Sequence, residues 1–351
     1  MAEVVIGIGT SHSPQLSIRA SDWDHLLKKD QTDPRLDYTS LLKRAKPGLE
    51  TELTPEKFRQ RDEACLTAVE DLGGALKNSR ADVVVVFGDD QQEQFHDENM
   101  PTFAIYHGKT LPVVKDNKHR PSGWKDAERR GWAETAEQYD TAHELANHLI
   151  RALVDAEFDI ARCNKLREEI GVGHAFSFLY RRILPGGKLP MVPVMVNTYY
   201  PPNQPTPKRC YAFGRAVRKA IESWKSDQKV AIMASGGLSH VVIDEEIDGM
   251  TIDGLKNKKP EMLFKLPRER LRGGTSEILN WVALAGAMED RELKYFEYVT
   301  TYRSPAATGC GMAFTYWMER SENNHRDKTR TQLVETTGGR PSIENGTRSD
   351  S

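Results

Sequence analysis

Asp82–Phe87 reads DVVVVF, four consecutive valines with no polar residue among them. Alternation of apolar and polar residues would leave one face of a strand to water. An unbroken β-branched run leaves neither, so this strand belongs inside a sheet covered on both faces. Glu3–Ile8, which ends at Gly9, Met191–Asn197 (MVPVMVN) and Lys229–Ala234 have the same character. Thr102–Tyr106, Phe158–Cys163 and Gly311–Tyr316 are further strand candidates. Buried parallel strands need crossovers, and helical segments lie between these runs. Residues 16–80 read as mainly helical, with Thr54 as an N-cap and Pro55 at the first helical position. Helices are also predicted at about 133–155, and at His174–Leu184, Lys208–Lys225 and Ser276–Met288. The fold class is therefore α/β: one large domain, residues 1–320, with a central mostly parallel or mixed sheet flanked by helices on both faces.

Hydrophobic residues make up 38% of the 351, a low fraction, so part of the chain is expected outside the core. Residues 107–130 are polar with Pro and Gly and read as a long loop, a candidate lid. Residues 321–351 lack apolar periodicity and read as a disordered polar tail. A net charge of −2 with both signs mixed argues against a nucleic-acid surface or a basic membrane patch. No run of 18 apolar residues occurs, and the N-terminus reads as a first strand and not a signal peptide. Cys65, Cys163, Cys210 and Cys310 are scattered without a CxxC pair, which argues against a cysteine zinc site and for reduced thiols in a cytoplasmic protein.

In open α/β sheets, ligands bind beyond the carboxyl ends of the strands. GTSHSP puts His12 just past the first strand, GDDQ puts Asp89, Asp90 and Gln91 past the second, and SGGLSH puts His240 past a later one. A histidine in such a place is more often an ordinary turn residue bonded to nearby backbone. Glu277 lies in GGTSEILNWVALAGAM among Ile278, Trp281, Val282, Leu284 and Ala285. Buried there, its carboxylate must be paired, protonated or bound to a metal. On an exposed stripe it would pair with a surface cation. His174 opens an apolar helix, where it caps, packs in the core or contacts a substrate. His25, His107, His119, His143, His148 and His325 read as surface residues. There is no GxSxG elbow, no complete GxGxxG and no GxxxxGK[ST], so a serine triad, a dinucleotide site and a phosphate loop are unsupported.

Taken together, GTSHSP, GDDQ, GGLSH, the helix with Glu277-x-x-x-Trp281 followed by GAM, and VPVMVNTYYPPNQPTPKRCYAFGRAVRKAIES resemble the class III extradiol ring-cleavage dioxygenases. The likeness is to the protocatechuate 4,5-dioxygenase β-subunit type, with its gallate and 3-O-methylgallate branch, and it runs from residue 1 to about 318. It implies Fe(II) held by two histidines and a carboxylate, and a catechol- or gallate-type aromatic acid opened beside its hydroxyls with both atoms of O2 inserted. By position it implies His12 as the first ligand, Glu277 as the carboxylate, His240 as the acid–base and His174 as a contact to substrate or oxygen. Gln91 stands where the second histidine ligand is expected. An amide oxygen is a neutral, weaker donor than an imidazole nitrogen. Completion of the metal shell by Gln91, Asp89, Asp90 or His96 therefore stays open. A non-catalytic metal- or partner-binding relative, or a metal-assisted hydrolase, stays open with it. The resemblance also implies a homo-oligomer or a small separate helical subunit. Arg181, Arg182, Lys208 and Arg209 are candidates for a substrate carboxylate and equally ordinary surface cations.

Overall fold

The computed structural model describes residues 1–34, 36–114, 136–184 and 189–320. Met1–Glu319 form one compact unit. The expected tail and most of the candidate lid, residues 115–130, lie outside the described residues.

Eleven strands run β1 (Glu3–Thr10), β2 (Val83–Asp89), β3 (Phe103–Tyr106), β4 (Thr110–Val113), β5 (Glu137–Asp140), β6 (Ala161–Cys163), β7 (Met191–Val196), β8 (Lys229–Ser235), β9 (His240–Val242), β10 (Glu292–Thr300) and β11 (Thr308–Met318) among the described residues. The helices are α1 (Pro14–Ser17), α2 (Trp23–Thr32), α3 (Tyr38–Arg44), α4 (Pro55–Ser79), α5 (His143–Asp155), α6 (His174–Arg182), α7 (Pro207–Ser223), α8 (Glu245–Lys256), α9 (Pro260–Phe264) and α10 (Ile278–Ala287). The main sheet has the order β10-β11-β1-β8-β2-β7-β3-β6, with β9 paired to β11. Its centre, β1-β8-β2-β7, is parallel throughout. Antiparallel pairs flank it: β1 with β11, β11 with β10, and β7 with β3.

The four valines of β2 show why the sequence lacks alternation there. Val83, Val85 and Phe87 face one core with Val230 and Ile232 of β8 and Val192 and Val194 of β7. Val84 and Val86 face the other core with Ala231 and Met233. Successive side chains of a strand point to opposite faces, and both faces are dry. Each buried valine contributes about 1.5–3 kcal/mol relative to exposure. The first core is closed by α5, α7 and α10 through Leu145, Leu149, Phe213, Val217, Trp281 and Val282. The second is closed by α4 and α6 through Val69, Leu72, Phe176 and Leu179. Helices α7 and α10 pack so closely that a Cβ on Gly214 would meet the Ala283 backbone.

Three expectations change. The helix predicted from about 133 begins at His143, and Glu137–Asp140 is a strand paired antiparallel with Thr110–Val113. The buried residues of the helix begin only at Leu145, so the described residues just before His143 have no apolar face to hold them in a helix. The strand predicted from Phe158 is confined to Ala161–Cys163. The edge strand β10 has no counterpart in the sequence reading. Its residues ELKYFEYVT are mostly half-exposed, so charge and aromatic rings share each face and blur the period of two.

Candidate metal centre

Because β1, β8, β2 and β7 are parallel, their carboxyl ends lie at one edge of the sheet. The residues just past Thr10, Ser235, Asp89 and Val196 meet there. This is where the chemistry-bearing side chains collect.

His12 follows β1 and is 4% exposed. Its Nδ1 is 2.9 Å from Ser235 Oγ, and that hydroxyl donates its proton to the Ala175 carbonyl at 2.6 Å. The serine can then only accept, so Nδ1 carries the proton and Nε2 keeps its lone pair. Nε2 has no hydrogen-bond partner. Burial, with His174 and His240 nearby, holds this ring well below the usual histidine range. It is a neutral imidazole with a free donor nitrogen.

Glu277 ends a 3-10 turn, Gly273–Glu277, that leads into α10. It is 1% exposed, so the exposed-stripe alternative fails. Oε2 accepts from the Gly237 N–H at 2.9 Å and lies 3.7 Å from His12 Nε2. Oε1 accepts from the Tyr199 hydroxyl at 3.1 Å. Gly236, at φ 152°, lets the backbone pass this close, because a Cβ would sit 2.9 Å from Glu277 Cβ. Trp281 pins the same turn by donating Nε1–H to the Gly236 carbonyl at 2.7 Å. Burial and the neighbouring Asp89 push the Glu277 carboxyl well above its ordinary value.

Asp89 is the last residue of β2 and is fully buried. Burial raises its carboxyl too. Its Oδ2 accepts from Gln91 Nε2 at 2.9 Å, and its Oδ1 has no partner. The same amide nitrogen lies 3.3 Å from Glu277 Oε1 and 3.4 Å from His174 Nε2. Gln91 is thus inside the cluster with its nitrogen end toward both carboxylates. Asp90 turns away and caps the loop, accepting from the Gln94 and Phe95 N–H groups at 2.9 and 3.0 Å. His96 contacts Arg167 instead.

One ligand atom from each of His12, Asp89 and Glu277 lies within 4.8 Å of the others. Two donors on one cation, each about 2.1 Å from it, stand roughly 3–4 Å apart. The orphaned His12 Nε2 and Asp89 Oδ1 beside two buried carboxylates therefore fit a divalent cation. A cation would satisfy both orphans and remove the repulsion that raises the two acids.

Two histidines border this trio. His240 Nδ1 is 3.1 Å from the Leu238 carbonyl, and Nε2 is 3.4 Å from Glu277 Oε2. Burial opposes its charge, but the Cys310 sulfur, the Leu238 carbonyl and the Asp89 carboxylate carry its pKa up to about 9. His240 is held from behind: Asp248 accepts from the Ser239 N–H at 2.7 Å and from its hydroxyl at 2.6 Å. His174, at the start of α6, packs edge-on to His12 with ring centroids 4.8 Å apart. Its Nδ1 is 3.0 Å from Glu93 Oε1. Burial opposes that charge as well, yet Glu93, Asp89 and Glu277 raise the ring to about 10. The His174 side chain is 34% exposed, against 5% for His12 and 2% for Glu277, so the cluster opens on the His174 side.

Tyr199, Ser235 and Glu93 were not singled out from the sequence. Tyr199 follows β7, so the rule that found His12 and His240 would have found it. Arg181 pairs with Glu137 at 2.7 Å, and Arg209 lies over the Phe158 ring at 4.0 Å; both serve the scaffold. No helix among the described residues is long and apolar enough to cross a membrane.

A family model described as the catalytic LigB subunit of aromatic ring-opening dioxygenase matches residues 49–313. Gallate dioxygenase of Pseudomonas putida is 31% identical over 179 residues, 47% of this chain and 50% of that protein. A 2,3-dihydroxyphenylpropionate/2,3-dihydroxicinnamic acid 1,2-dioxygenase of Paraburkholderia xenovorans is 27% identical over 169 residues, 48% of this chain and 46% of the relative. The corresponding protein of Rhodococcus globerulus is 27% identical over 193 residues, 53% and 54% of the two chains. The chain spans about half the length of the curated relatives it matches. The matched range of the family model excludes His12, which only the geometry brings to Glu277.

Proposed function

Because the chain belongs to the family of catalytic LigB subunits of aromatic ring-opening dioxygenases, we propose that it opens a catechol- or gallate-type aromatic acid beside its hydroxyls, with Fe(II) at this cluster and both atoms of O2 entering the product. The observation that carries the reading is the meeting of His12 Nε2, without a partner, and Glu277 Oε2 at 3.7 Å from opposite ends of the chain. His12 and Glu277 hold the metal, and the Asp89–Gln91 corner completes its shell. Iron bound there would supply Lewis acidity toward a ring hydroxyl and the redox chemistry that lets dioxygen react with the ring.

The chain's own groups do the rest. Ser235 keeps the His12 proton on Nδ1, so Nε2 remains a donor. Burial of His12, Asp89 and Glu277, at 4%, 0% and 1% exposure, keeps bulk water from the reacting atoms. His240 donates Nδ1–H to the Leu238 carbonyl, which leaves Nε2 facing Glu277 Oε2 at 3.4 Å. That nitrogen gives a proton to the reacting oxygen and takes one back in the next cycle. His174, with Glu93 behind it, presents Nε2 at the open side and stabilises negative charge on a hydroxyl that has lost its proton.

The test is anaerobic loading with Fe(II), then oxygen uptake with gallate, 3-O-methylgallate and protocatechuate. One oxygen consumed per ring lost is the expected result. Iron retained with no uptake on any of them would overturn ring opening and leave a metal-binding role.

A further inference from the structure

We propose that Asp89, and not residue 91, is the third protein ligand, and that the resulting set of one imidazole and two carboxylates makes an oxygen-rich site with weak discrimination against Mn(II). The inference shares with the ring-opening reading only the placement of a divalent cation between His12 and Glu277.

The hydrogen bonds separate the two candidates. Gln91 Nε2 lies 2.9 Å from Asp89 Oδ2 and 3.3 Å from Glu277 Oε1. An amide nitrogen donates protons and has no lone pair for a metal. With both acids ionised, as a bound cation requires, the amide turned end for end would set its oxygen against two carboxylate oxygens at those same distances. Gln91 is therefore a brace. It donates to one oxygen of each acid, which leaves Asp89 Oδ1 and Glu277 Oε2 off that amide. Asp89 Oδ1 is fully buried without a partner. Tyr199 adds a second donor to Glu277 Oε1 at 3.1 Å, and Gly237 N–H fixes Oε2 at 2.9 Å. Gln91, Tyr199 and Gly237 thus orient the two acids, and one ligand atom of each acid lies within 4.8 Å of a ligand atom of His12.

Replacing an imidazole by a carboxylate changes the chemistry of the site. The protein ligands then carry a charge of −2 instead of −1. Imidazole suits zinc, iron and copper, whereas carboxylate oxygens suit manganese and magnesium. Affinities still rise from manganese to zinc, but the interval between them narrows. The cation class is a hard, oxygen-preferring divalent ion, with manganese competing with iron.

The test reads metal binding without turnover: Mn(II) by its electron paramagnetic resonance signal, and Zn(II) by metal analysis after anaerobic dialysis. Asp89→Asn is expected to weaken Mn(II) binding roughly a hundredfold or more, and Gln91→Ala by only about tenfold, the range for groups that orient a ligand. Asp89→His is expected to raise the zinc-to-manganese affinity ratio at least roughly tenfold. In chelator, Asp89→Asn should melt no lower than wild type, because it removes one of two adjacent buried acids. A lower melting point there would make Asp89 a packing residue and overturn the assignment. A larger loss from Gln91→Ala than from Asp89→Asn would overturn it too, with ring opening untouched. Wild-type protein that binds no divalent cation would overturn both readings.

Discussion

Ser235 controls more of this site than its size suggests. With its proton committed to the Ala175 carbonyl at 2.6 Å, it can only accept from His12 Nδ1. Ser235→Ala removes the acceptor, frees the ring to rotate and admits the wrong tautomer. We expect metal affinity to fall about 10–100-fold, the usual cost of losing a group that orients a histidine ligand. Ser235→Thr should retain most of it. A Mn(II) titration decides, and an unchanged affinity for the alanine variant would remove Ser235 from the account. His240 has a different duty. Its Nε2 is 3.4 Å from Oε2 of Glu277, the carboxylate proposed to hold the metal, and it makes no hydrogen bond with the orphaned atoms of His12 or Asp89. His240→Gln should keep the metal and lose roughly 10²–10⁴ in turnover, the range for a positioned acid–base. Metal analysis beside oxygen uptake separates the two effects, and loss of the metal would make His240 a ligand.

At the scale of elements, α10 is the frame of the site. It carries Trp281 on the Gly236 carbonyl and Asn280 on the Ser235 carbonyl at 3.1 Å, and it follows directly on Glu277. Its packing on α7 leaves no space at Gly214, where an added Cβ would press on Ala283 backbone. Backbone cannot swing aside as a side chain can. Gly214→Ala should therefore cost about 1–3 kcal/mol, read from the denaturation midpoint. It should also weaken metal binding, since α10 cannot retreat without moving Glu277. A destabilised variant with intact metal affinity would show that the frame is looser than argued. Elements also differ in how legible they are. Helix α4 was readable from Thr54 as N-cap and Pro55 at the first helical position, and it runs Pro55–Ser79 with Thr54 accepting from the Lys57 N–H. The β4–β5 pair was not, because four-residue strands with polar residues carry too little periodicity to be told from loop.

For the whole molecule, a cation at the proposed site would couple stability to pH. Asp89 and Glu277 both have raised carboxyl pKa values, from burial first. Without a cation, the folded chain holds these protons more tightly than the unfolded chain does. That contribution to stability is complete below the unfolded carboxylate range near pH 4 and is lost as pH rises through the folded values. A bound cation reverses the preference, because it needs both acids ionised. We therefore expect the stabilisation by Mn(II) to grow from pH 5.5 to pH 7.5. Metal at 100 times its dissociation constant adds about 2.7 kcal/mol. Calorimetric melting with and without chelator at the two pH values checks this. A metal-induced shift that is equal or larger at the lower pH would contradict it.

Much of this architecture was legible in the chain alone. Apolar runs without alternation announced strands dry on both sides, and the residues just past them named His12, the 89–91 corner and His240. These are local signals, because periodicity, caps and strand ends are properties of neighbours in sequence. Glu277 was different, since the same helix admits a buried or an exposed carboxylate until α7 and β8 pack against it. So was the choice within GDDQ. Asp89, Asp90 and Gln91 are consecutive, yet at the end of β2 the chain leaves Asp89 beside His12 and Glu277, Asp90 in a loop cap and Gln91 across two acids. Strand order β1-β8-β2-β7 brought segments from both ends of the chain to one edge. No local pattern encodes that adjacency, because it follows from which faces fit together once the two cores close.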